Sequence, residues 1–274
     1  MASSISAEHR RDRVLELVRQ KGFCSLLELA EATGVSESTV RRDLEALEEQ
    51  AAVRRTHGGV FYVGGAPKLL HFVDRQAAHW EKKKQIGICA AALVEDGDTV
   101  LLDGGSTTYE VAQRLVGRPV QVVTNSLPVA NLFVSSTGTD LILIGGYVHS
   151  RTGVALGQYA NEMIARLSVR RAIMSVAAVN EEGYYNSNLL LVETERAMMA
   201  AADEVIVVAD STKFGYRSLS RVAELGAINR LVVDEGISRE WQERLAAANV
   251  NVLIAGPTLD TISDTNESKG DRRP

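Results

Sequence analysis

The pattern of apolar residues changes once along the chain, near residues 63–80, and this change limits the possible folds more than any other feature. Before it, residues 7–50 show the spacing of three successive helices. After it, short apolar runs alternate with helical stretches as far as about residue 255. A helical unit and a strand-and-helix unit bury their apolar faces differently, so two domains are predicted. The 274 residues are enough for both.

Domain boundaries are predicted from the same patterns. The first domain covers 1–62, and 63–80 is a linker because it loses periodicity and contains Gly64, Gly65 and Pro67. The larger domain covers 81–255. The remainder, 256–274, is rich in Asp, Thr, Ser, Gly and Lys and is predicted to be a disordered tail.

Composition indicates a globular protein, with 45% hydrophobic and 24% charged residues. No apolar run approaches the ~20 residues that span a bilayer, and the N-terminus lacks the apolar core of a signal peptide, so no membrane partner and a cytoplasmic location are expected. Cys24 and Cys89 lack ligand spacing, and His71, His79 and His149 are scattered. We therefore expect no disulfide, metal or cofactor.

The first domain has the helix boundaries of a compact three-helix unit. Ser25 and Glu28 form a capping-box pattern, Gly34 ends that second helix, and Ser36 can cap a third helix running to about residue 50. Its inward residues follow at spacings of four and three, namely Val40, Leu44 and Leu47. Residues 53–60 then indicate a small hairpin, or wing, turning at His57-Gly58-Gly59.

The outward side of the third helix carries residues suited to DNA. Net charge is −5, and residues 1–65 hold nine Lys and Arg against ten Asp and Glu, so DNA affinity requires a local patch. Arginine forks fit guanine edges or phosphates, and hydroxyls contact either. The predicted DNA-binding residues on helix and wing are Ser36, Ser38, Thr39, Arg41, Arg42, Arg54, Arg55 and His57.

The alternative is that Arg41 and Arg42 only solvate the helix and pair with Asp43, Glu45 or Glu48 at helical spacing. If Arg41, Arg42 and Asp43 stood in the sequence without other motifs, that alternative would be favoured. The preceding capped helix and glycine turn, together with the basic hairpin that follows, favour contact with DNA.

These motifs resemble a known family. Residues 35–44, Val-Ser-Glu-Ser-Thr-Val-Arg-Arg-Asp-Leu, are similar to the recognition segment of DeoR-type regulators, and residues 55–59, Arg-Thr-His-Gly-Gly, look like the wing that follows it. The resemblance extends from residue 8 to about 255. It implies a winged helix-turn-helix that reads operator DNA.

In the second domain, polar motifs follow the ends of predicted strands. Apolar runs at 99–103, 120–124, 140–144, 171–179, 204–209, 230–233 and 250–254 predict a parallel or mixed α/β sheet. Ligands of such sheets bind at the carboxyl ends of strands, and a helix N-terminus there can cradle a phosphate. The predicted effector-binding residues are Asp103, Gly104, Gly105, Ser106, Thr107, Thr108, Thr124, Asn125, Gly145, Gly146, Asp210 and Lys213.

The resemblance also implies what this domain binds. The family's effector domain is similar in fold to sugar-phosphate isomerases and is expected to bind phosphorylated sugars. Three positions depart from the family pattern: Gly104 stands where Ser is frequent, Ser106 where Thr is, and Glu195 where Lys commonly follows a Glu by two residues. Glu195 removes a positive charge and leaves the role of Glu193 open.

The sequence therefore predicts a homo-oligomeric regulator that represses carbohydrate-metabolism genes, with operator DNA and a phosphorylated sugar as partners. Two alternatives stay open. One is a sugar-phosphate isomerase in which Asp103, Glu193 or Asp210 abstracts a proton. The other is an interaction module that uses its winged domain only for dimer contacts. Lys82 to Lys84 are expected on a solvated helix face.

Overall fold

A computed structural model describes residues 7–21, 23–49, 53–56, 59–62 and 72–256. Residues 257–274 of the predicted tail and residues 63–71 of the predicted linker lie outside these ranges, as do Gly22 and His57. None of the helices in the described ranges combines the length and the apolar character that crossing a membrane requires.

The N-terminal part is a three-helix unit with a small antiparallel sheet. Its elements in chain order are α1 Ala7–Lys21, β1 Phe23–Ser25, α2 Leu26–Thr33, α3 Glu37–Glu49, β2 Val53–Thr56 and β3 Gly59–Tyr62. Strand β3 is central and pairs antiparallel with β1 and β2. The predicted helices and hairpin are thus confirmed.

Apolar side chains from all three helices and the hairpin form one core. Val14 and Val18 of α1, Leu29 of α2, and Val40 and Leu44 of α3 are fully or almost fully buried. The capping box at α2 is present, because the Ser25 hydroxyl accepts the Glu28 backbone N–H while a Glu28 carboxylate oxygen accepts that of Ser25. Gly34 ends α2 in the left-handed conformation, at φ 69°. This turn fixes the angle between α2 and α3.

The described end of the predicted linker is helical. Helix α4, Phe72–Ala77, precedes α5, Trp80–Ala91. The Phe72 and Tyr109 rings pack edge to face, with their centroids 5.3 Å apart. The Phe72 backbone N–H donates to the Arg151 carbonyl at 3.0 Å. Residues 72–77 therefore pack on the larger domain instead of running as an irregular connection.

Strands and helices alternate through the larger domain. In chain order they are β4 Thr99–Leu102, α6 Ser106–Leu115, β5 Gln121–Thr124, α7 Leu127–Phe133, β6 Asp140–Leu143, β7 Tyr147–His149, β8 Val154–Leu156, α8 Gln158–Ile164, β9 Val169–Ser175, β10 Ala178–Asn180, β11 Gly183–Asn186, α9 Leu189–Ala200, β12 Ala202–Val208, β13 Ser220–Ala223, β14 Arg230–Asp234, α10 Arg239–Ala247 and β15 Asn251–Ala255.

A seven-stranded parallel sheet is the frame of this domain, in the order β15-β14-β12-β9-β4-β5-β6. The chain builds outward from β4 through β5 to β6, then returns to add β9 on the other side of β4. The strand order therefore reverses between β4 and β9. In open α/β sheets a ligand crevice forms at the carboxyl ends of the strands at such a reversal.

Both faces of the sheet are covered, as the continuous apolar strands require. Leu102 and Ile206 belong to the core on the side of α5 and α6, whereas Leu101 and Val207 belong to the core on the other side, which includes Ile164 of α8. The seven apolar runs in the sequence coincide with the seven sheet strands, so the α/β prediction is confirmed.

The smaller strands were not predicted. The run at 171–179 contains the end of one sheet and the start of another, because β9 ends at Ser175 and β10 belongs to the antiparallel sheet β10-β11-β13. Strands β7 and β8 form a separate antiparallel pair. At the opposite, amino end of the sheet, Arg171 is buried and paired with Asp98 and Glu204.

Candidate functional site

The first turn of α3 is held by hydroxyl contacts. The Ser36 hydroxyl accepts the Thr39 backbone N–H at 3.3 Å and lies 2.8 Å from the Ser38 hydroxyl and 3.0 Å from that of Thr39. Ser36 therefore caps α3 as predicted. Ser36 and Ser38 are exposed and Thr39 is half-buried, so this turn faces solvent.

Three acidic residues of α3 are engaged away from Arg41 and Arg42. Asp43 is buried and accepts the Arg10 guanidinium at 2.6 Å. Glu45 and Glu48 accept the guanidinium of Arg55 at 2.9 and 2.6 Å. Arg41 and Arg42 are exposed and form no ion pair with another described residue. The pairing that would have made them purely structural is thus absent from the described part of the chain.

Of the three predicted wing residues, only Arg55 has a described side chain. Arg55 on β2 faces α3, and its backbone N–H also donates to Glu48 at 2.9 Å, which ties the hairpin to the helix. Arg54 lies on β2, but its side chain is outside what the structure describes, and so is all of His57.

At the other end of the chain, polar residues meet where β4 and β9 end. Asp103 is 5% exposed, and its carboxylate accepts the Gly105 N–H at 3.0 Å, the Ser175 N–H at 2.9 Å and the Ser175 hydroxyl at 3.1 Å. Burial raises the pKa of this carboxyl, and the hydrogen bonds oppose that shift. Asp103 thereby joins the two strands at the reversal point.

Gly104 and Gly105 are required by close approach. A Cβ on Gly105 would lie 1.7 Å from the Ser175 hydroxyl oxygen, and one on Gly104 would lie 1.9 Å from a Val154 methyl carbon. The Gly105 backbone is extended, with φ −77°, so the restriction is purely steric. The two glycines therefore preserve the packing of this turn.

Helix α6 begins immediately after this turn. Its first residues, Ser106, Thr107 and Thr108, are buried, and its N-cap Gly105 has no side chain with which to cap the free backbone N–H groups. Ser106 and Thr107 line a cavity of about 280 Å³, whereas Thr108 does not. We call this space the basic cavity because Arg75, Lys83 and Lys213 also line it.

Lys83 is buried, and Arg75 is half-buried. Lys83 is 4% exposed, and its ammonium donates to the carbonyls of Arg75 and Ala78. Burial lowers the pKa of Lys83 to about 8. Burial likewise lowers the pKa of Arg75, whose Nε and Nη2 have no hydrogen-bond partner among the described residues.

The expectation of a solvated face at Lys82 to Lys84 is wrong for Lys83. Lys82 pairs with Asp234 at 2.9 Å, and Lys84 lies over the Trp80 ring at 5.1 Å, so both have ordinary structural partners. Lys83 points inward because it shares one helix face with Ile86 and Ala90.

Asp210 is the acidic group of the basic cavity and is fully buried. One carboxylate oxygen accepts the backbone N–H of Thr212 at 3.1 Å and the Thr212 hydroxyl. The other oxygen, Oδ2, has no partner among the described residues. It is free to accept a ligand hydroxyl.

A smaller cavity of about 40 Å³ adjoins the first and shares Arg75, Ser175 and Asn186 with it. We call it the acidic cavity because Asp103 and Glu195 line it. Gly104, Gly105 and Asn125 complete the predicted residues found there.

Glu195 and Asn125 are almost fully enclosed, at 4% and 2% exposure. Burial, reinforced by the nearby Asp103, raises the pKa of Glu195 well above its usual range, while a hydrogen bond from Asn186 opposes this. Glu193 is exposed on the other side of α9 and lines neither cavity.

Three other predicted residues lie apart from both cavities. The Thr124 hydroxyl donates to the Leu102 carbonyl at 2.7 Å and accepts the Ser126 N–H at 3.1 Å, so it joins neighbouring strands. Gly145 and Gly146 are exposed beyond β6, and Gly146 packs against the Leu156 carbonyl.

Sequence reasoning missed Arg75, Lys83, Ser175 and Asn186 and left Glu195 unassigned. A lysine at an inward position of α5 was a usable signal, and so was a serine at the end of an apolar strand. Arg75 gave none, because it lies in a stretch without periodicity. Among the described residues, no three His, Cys, Asp or Glu side chains are grouped so as to hold a metal ion.

Comparison with known proteins matches both parts of the chain. The model of the DeoR-like helix-turn-helix domain matches residues 10–64, and that of the DeoR C terminal sensor domain matches residues 78–235. Ribose 5-phosphate isomerase A from Methanocaldococcus jannaschii aligns over 50% of this chain and 55% of its own, at 18% identity and a TM-score of 0.37, which supports no argument about function.

Curated relatives extend over almost the whole chain. The putative aga operon transcriptional repressor of Escherichia coli O157:H7 is 31% identical over 252 residues, covering 90% of this chain and 93% of that protein. The HTH-type transcriptional repressor GlcR of Bacillus subtilis (strain 168) is 30% identical over 247 residues, covering 90% and 96%. These relatives are named as regulators and not as enzymes. The chain is a member of the DeoR family of transcriptional regulators.

Proposed function

We propose that this chain represses genes of carbohydrate metabolism by binding operator DNA, and that a phosphorylated sugar in its larger domain controls that binding. The observation that carries the proposal is the basic cavity. Arg75 Nε and Nη2 are enclosed there without an acceptor among the described residues, and a phosphate supplies both the acceptors and the negative charge that this guanidinium needs.

The DNA-binding face is proposed to be the exposed side of α3. Arg41 and Arg42 project from it, and the Ser36, Ser38 and Thr39 hydroxyls crowd its first turn. In a helix-turn-helix this turn approaches base edges and phosphates. Because Asp43, Glu45 and Glu48 are occupied by Arg10 and Arg55, these three carboxylates do not neutralise Arg41 and Arg42.

The wing is proposed to contact the DNA backbone through Arg54, Arg55 and His57. Arg55 also positions the hairpin against α3 through Glu45 and Glu48. A contact between Arg55 and a DNA phosphate would replace one of these ion pairs. Losing an exposed ion pair costs little free energy.

The effector's phosphate is proposed to lie between Lys213, Arg75 and the first turn of α6. Free backbone N–H groups at a helix N-terminus and the positive end of its dipole favour an anion there. Lys83 also lines the basic cavity and adds positive charge, and Asp210 Oδ2 accepts a hydrogen bond from a sugar hydroxyl. Thr108, Thr124, Gly145 and Gly146 are proposed to support the strand ends around this site.

Control of DNA binding is proposed to pass through α4. Arg75 on α4 lines both cavities, and α4 directly follows the segment that leads from the N-terminal domain. A phosphate that binds Arg75 therefore favours one placement of α4 over others. Such a ligand shifts the regulator only by its difference in affinity between the two placements.

The DNA-bound form is proposed to be a homo-oligomer, a dimer or a tetramer. One winged domain has a small footprint, and two half-sites add affinity through effective concentration. Light scattering on the full chain at micromolar concentration should give at least twice the monomer mass. A monomer that still binds operator tightly would rule this part out.

A thermal-shift screen of the full chain against phosphorylated and unphosphorylated sugars tests the proposal. A phosphorylated sugar at ~100 times its dissociation constant should stabilise the protein by about 2.7 kcal/mol, while the same sugar without its phosphate should not. Equal stabilisation by both forms, or by neither, would contradict a phosphate site.

A further inference from the structure

The acidic cavity contains two enclosed side-chain oxygen atoms that have no hydrogen-bond partner among the described residues. Glu195 Oε1 accepts the Asn186 amide at 2.6 Å, but its Oε2 is enclosed without a partner among the described residues. The Asn125 amide donates to the Ala155 carbonyl at 2.9 Å, and its Oδ1 is likewise enclosed without a partner. A buried acceptor left unpaired costs about 1–3 kcal/mol. Both oxygens belong to residues that line the same small space.

Among the described residues, Glu195 also lacks a neighbouring cation once a phosphate is bound in the basic cavity. Asp103 and Glu195 are both buried and line the acidic cavity. Arg75 lines both cavities, and a phosphate in the basic cavity engages its guanidinium. Asp103 accepts three hydrogen bonds, whereas Glu195 accepts only the one from Asn186 within the described part of the chain, and burial raises the pKa of Glu195. A cation next to Glu195 would favour its ionised form.

Volume limits what can enter. About 40 Å³ accommodates one small functional group and excludes a sugar ring. A hydroxyl brings one donor and no charge. A primary ammonium brings three donors, no acceptor and a positive charge, which matches the two unpaired oxygens and the carboxyl groups together.

We propose that the effector is an aminated sugar phosphate, with its ammonium group in the acidic cavity against Glu195 Oε2 and Asn125 Oδ1 and its phosphate in the basic cavity. Glu195 is then the residue that selects the amine over a hydroxyl. This inference rests on the proposed phosphate site and adds the chemical class of the rest of the ligand.

Matched ligand pairs test it by calorimetry on the full chain. Glucosamine 6-phosphate is compared with glucose 6-phosphate, and galactosamine 6-phosphate with galactose 6-phosphate, with inorganic phosphate as the shared fragment. A charge-assisted hydrogen bond is worth about 1.5–3 kcal/mol, so the amine should bind roughly tenfold to a hundredfold more tightly in at least one pair.

Glu195→Gln keeps the shape of the side chain and the acceptor for Asn186 but removes the charge. It should abolish the preference for the amine and leave the affinity for inorganic phosphate unchanged, which also shows that the variant is folded. Glu193→Gln removes the same charge from the exposed side of α9 and should keep the preference.

The wild-type comparison decides without any variant. If the hydroxyl sugars bind as tightly as their amines in both pairs, this inference fails while the phosphate site stands. If neither inorganic phosphate nor any of the sugar phosphates binds, the proposed function fails as well. Retention of the preference in Glu195→Gln would remove Glu195 as the selecting residue.

Discussion

Asp103 accepts both the backbone N–H and the hydroxyl of Ser175, at 2.9 and 3.1 Å, across the gap between β4 and β9. The two strands are neighbours in the sheet, but Asp103 and Ser175 lie 72 residues apart in sequence. These hydrogen bonds fix the strand ends at the place where the strand order reverses. The turn at Gly104 and Gly105, and with it the N-terminus of α6, is held by the same carboxylate.

Gly105→Ala should therefore damage the site by collision with Ser175. The added methyl would lie 1.7 Å from the Ser175 hydroxyl oxygen and 2.5 Å from its Cβ. Overpacking of this kind costs roughly 1–3 kcal/mol. Chemical denaturation should show that loss, and calorimetry should show weaker binding of phosphorylated sugar.

Ser175→Gly is the matched partner for this change, because it removes both atoms that the methyl meets. The double variant should be less destabilised than the sum of the two single variants. If the losses of stability in the two single variants add up to that of the double variant, the collision with Ser175 is not what destabilises Gly105→Ala.

The main sheet could be predicted from sequence because strands buried on both faces appear as continuous apolar runs. The shorter strands could not. Strand β10 continues the apolar run of β9, and only tertiary pairing with β11 shows that it belongs to another sheet. Strands β7 and β8 have three residues each, too few for a pattern to stand out.

The site was predictable where a motif follows a strand, as at Asp103 and Asp210. It was not predictable where residues distant in sequence converge. Arg75 reaches both cavities only because α4 packs on α6, and Glu195 becomes buried through the packing of α9. Thr124 was predicted to bind the effector but lines neither cavity. Its hydroxyl instead forms a hydrogen bond to the neighbouring strand, as a polar residue at a strand end can do.

Lys213→Ala should weaken phosphate-bearing ligands while leaving DNA binding by the effector-free protein intact. Loss of one charge-assisted hydrogen bond to phosphate costs about 1.5–3 kcal/mol, or roughly tenfold to a hundredfold in affinity. Lys84→Ala removes the same charge from a residue that lies over Trp80 outside the basic cavity, and it should leave affinity unchanged. Calorimetry with the same sugar phosphate compares the two. Equal losses would indicate a general electrostatic effect.

Binding of phosphate should weaken as the pH rises through about 8, the pKa of Lys83 in the folded protein. Burial lowers this pKa, so between about 8 and the ordinary value of 10.5 the unfolded chain holds a proton that the folded protein has lost. In that window Lys83 makes the empty protein more stable as the pH rises. A bound phosphate favours the charged ammonium of Lys83. The affinity for phosphate therefore falls as the pH rises, while the stability of the empty protein increases.

Calorimetry with inorganic phosphate at a series of pH values around 8 measures this. Lys83→Met should bind more weakly at low pH and show a flatter profile, while Lys213→Met should keep the dependence. An unchanged profile in Lys83→Met would assign the effect to another group.

Replacement of Arg41 and Arg42 by alanine should abolish the salt-dependent DNA complex. Each lost phosphate contact should lower the slope of log affinity against log salt by about one, and each lost base contact should cost about 1–3 kcal/mol. Arg239→Ala removes an exposed arginine from α10 of the larger domain and serves as the control for net charge. Fluorescence anisotropy with duplexes selected by the full chain from a random library gives the affinities. Equal loss in the control would remove α3 from its proposed role.

The most direct measurement compares the affinity of one phosphorylated sugar for the free protein and for the protein on its selected duplex. Linkage requires that a ligand which changes DNA affinity by some factor has its own affinity changed by DNA by the same factor. If the sugar phosphate releases the DNA, calorimetry should find it bound more weakly by the complex, by the factor that anisotropy measures for the DNA. Equal affinity for free and DNA-bound protein would contradict control of DNA binding by this site.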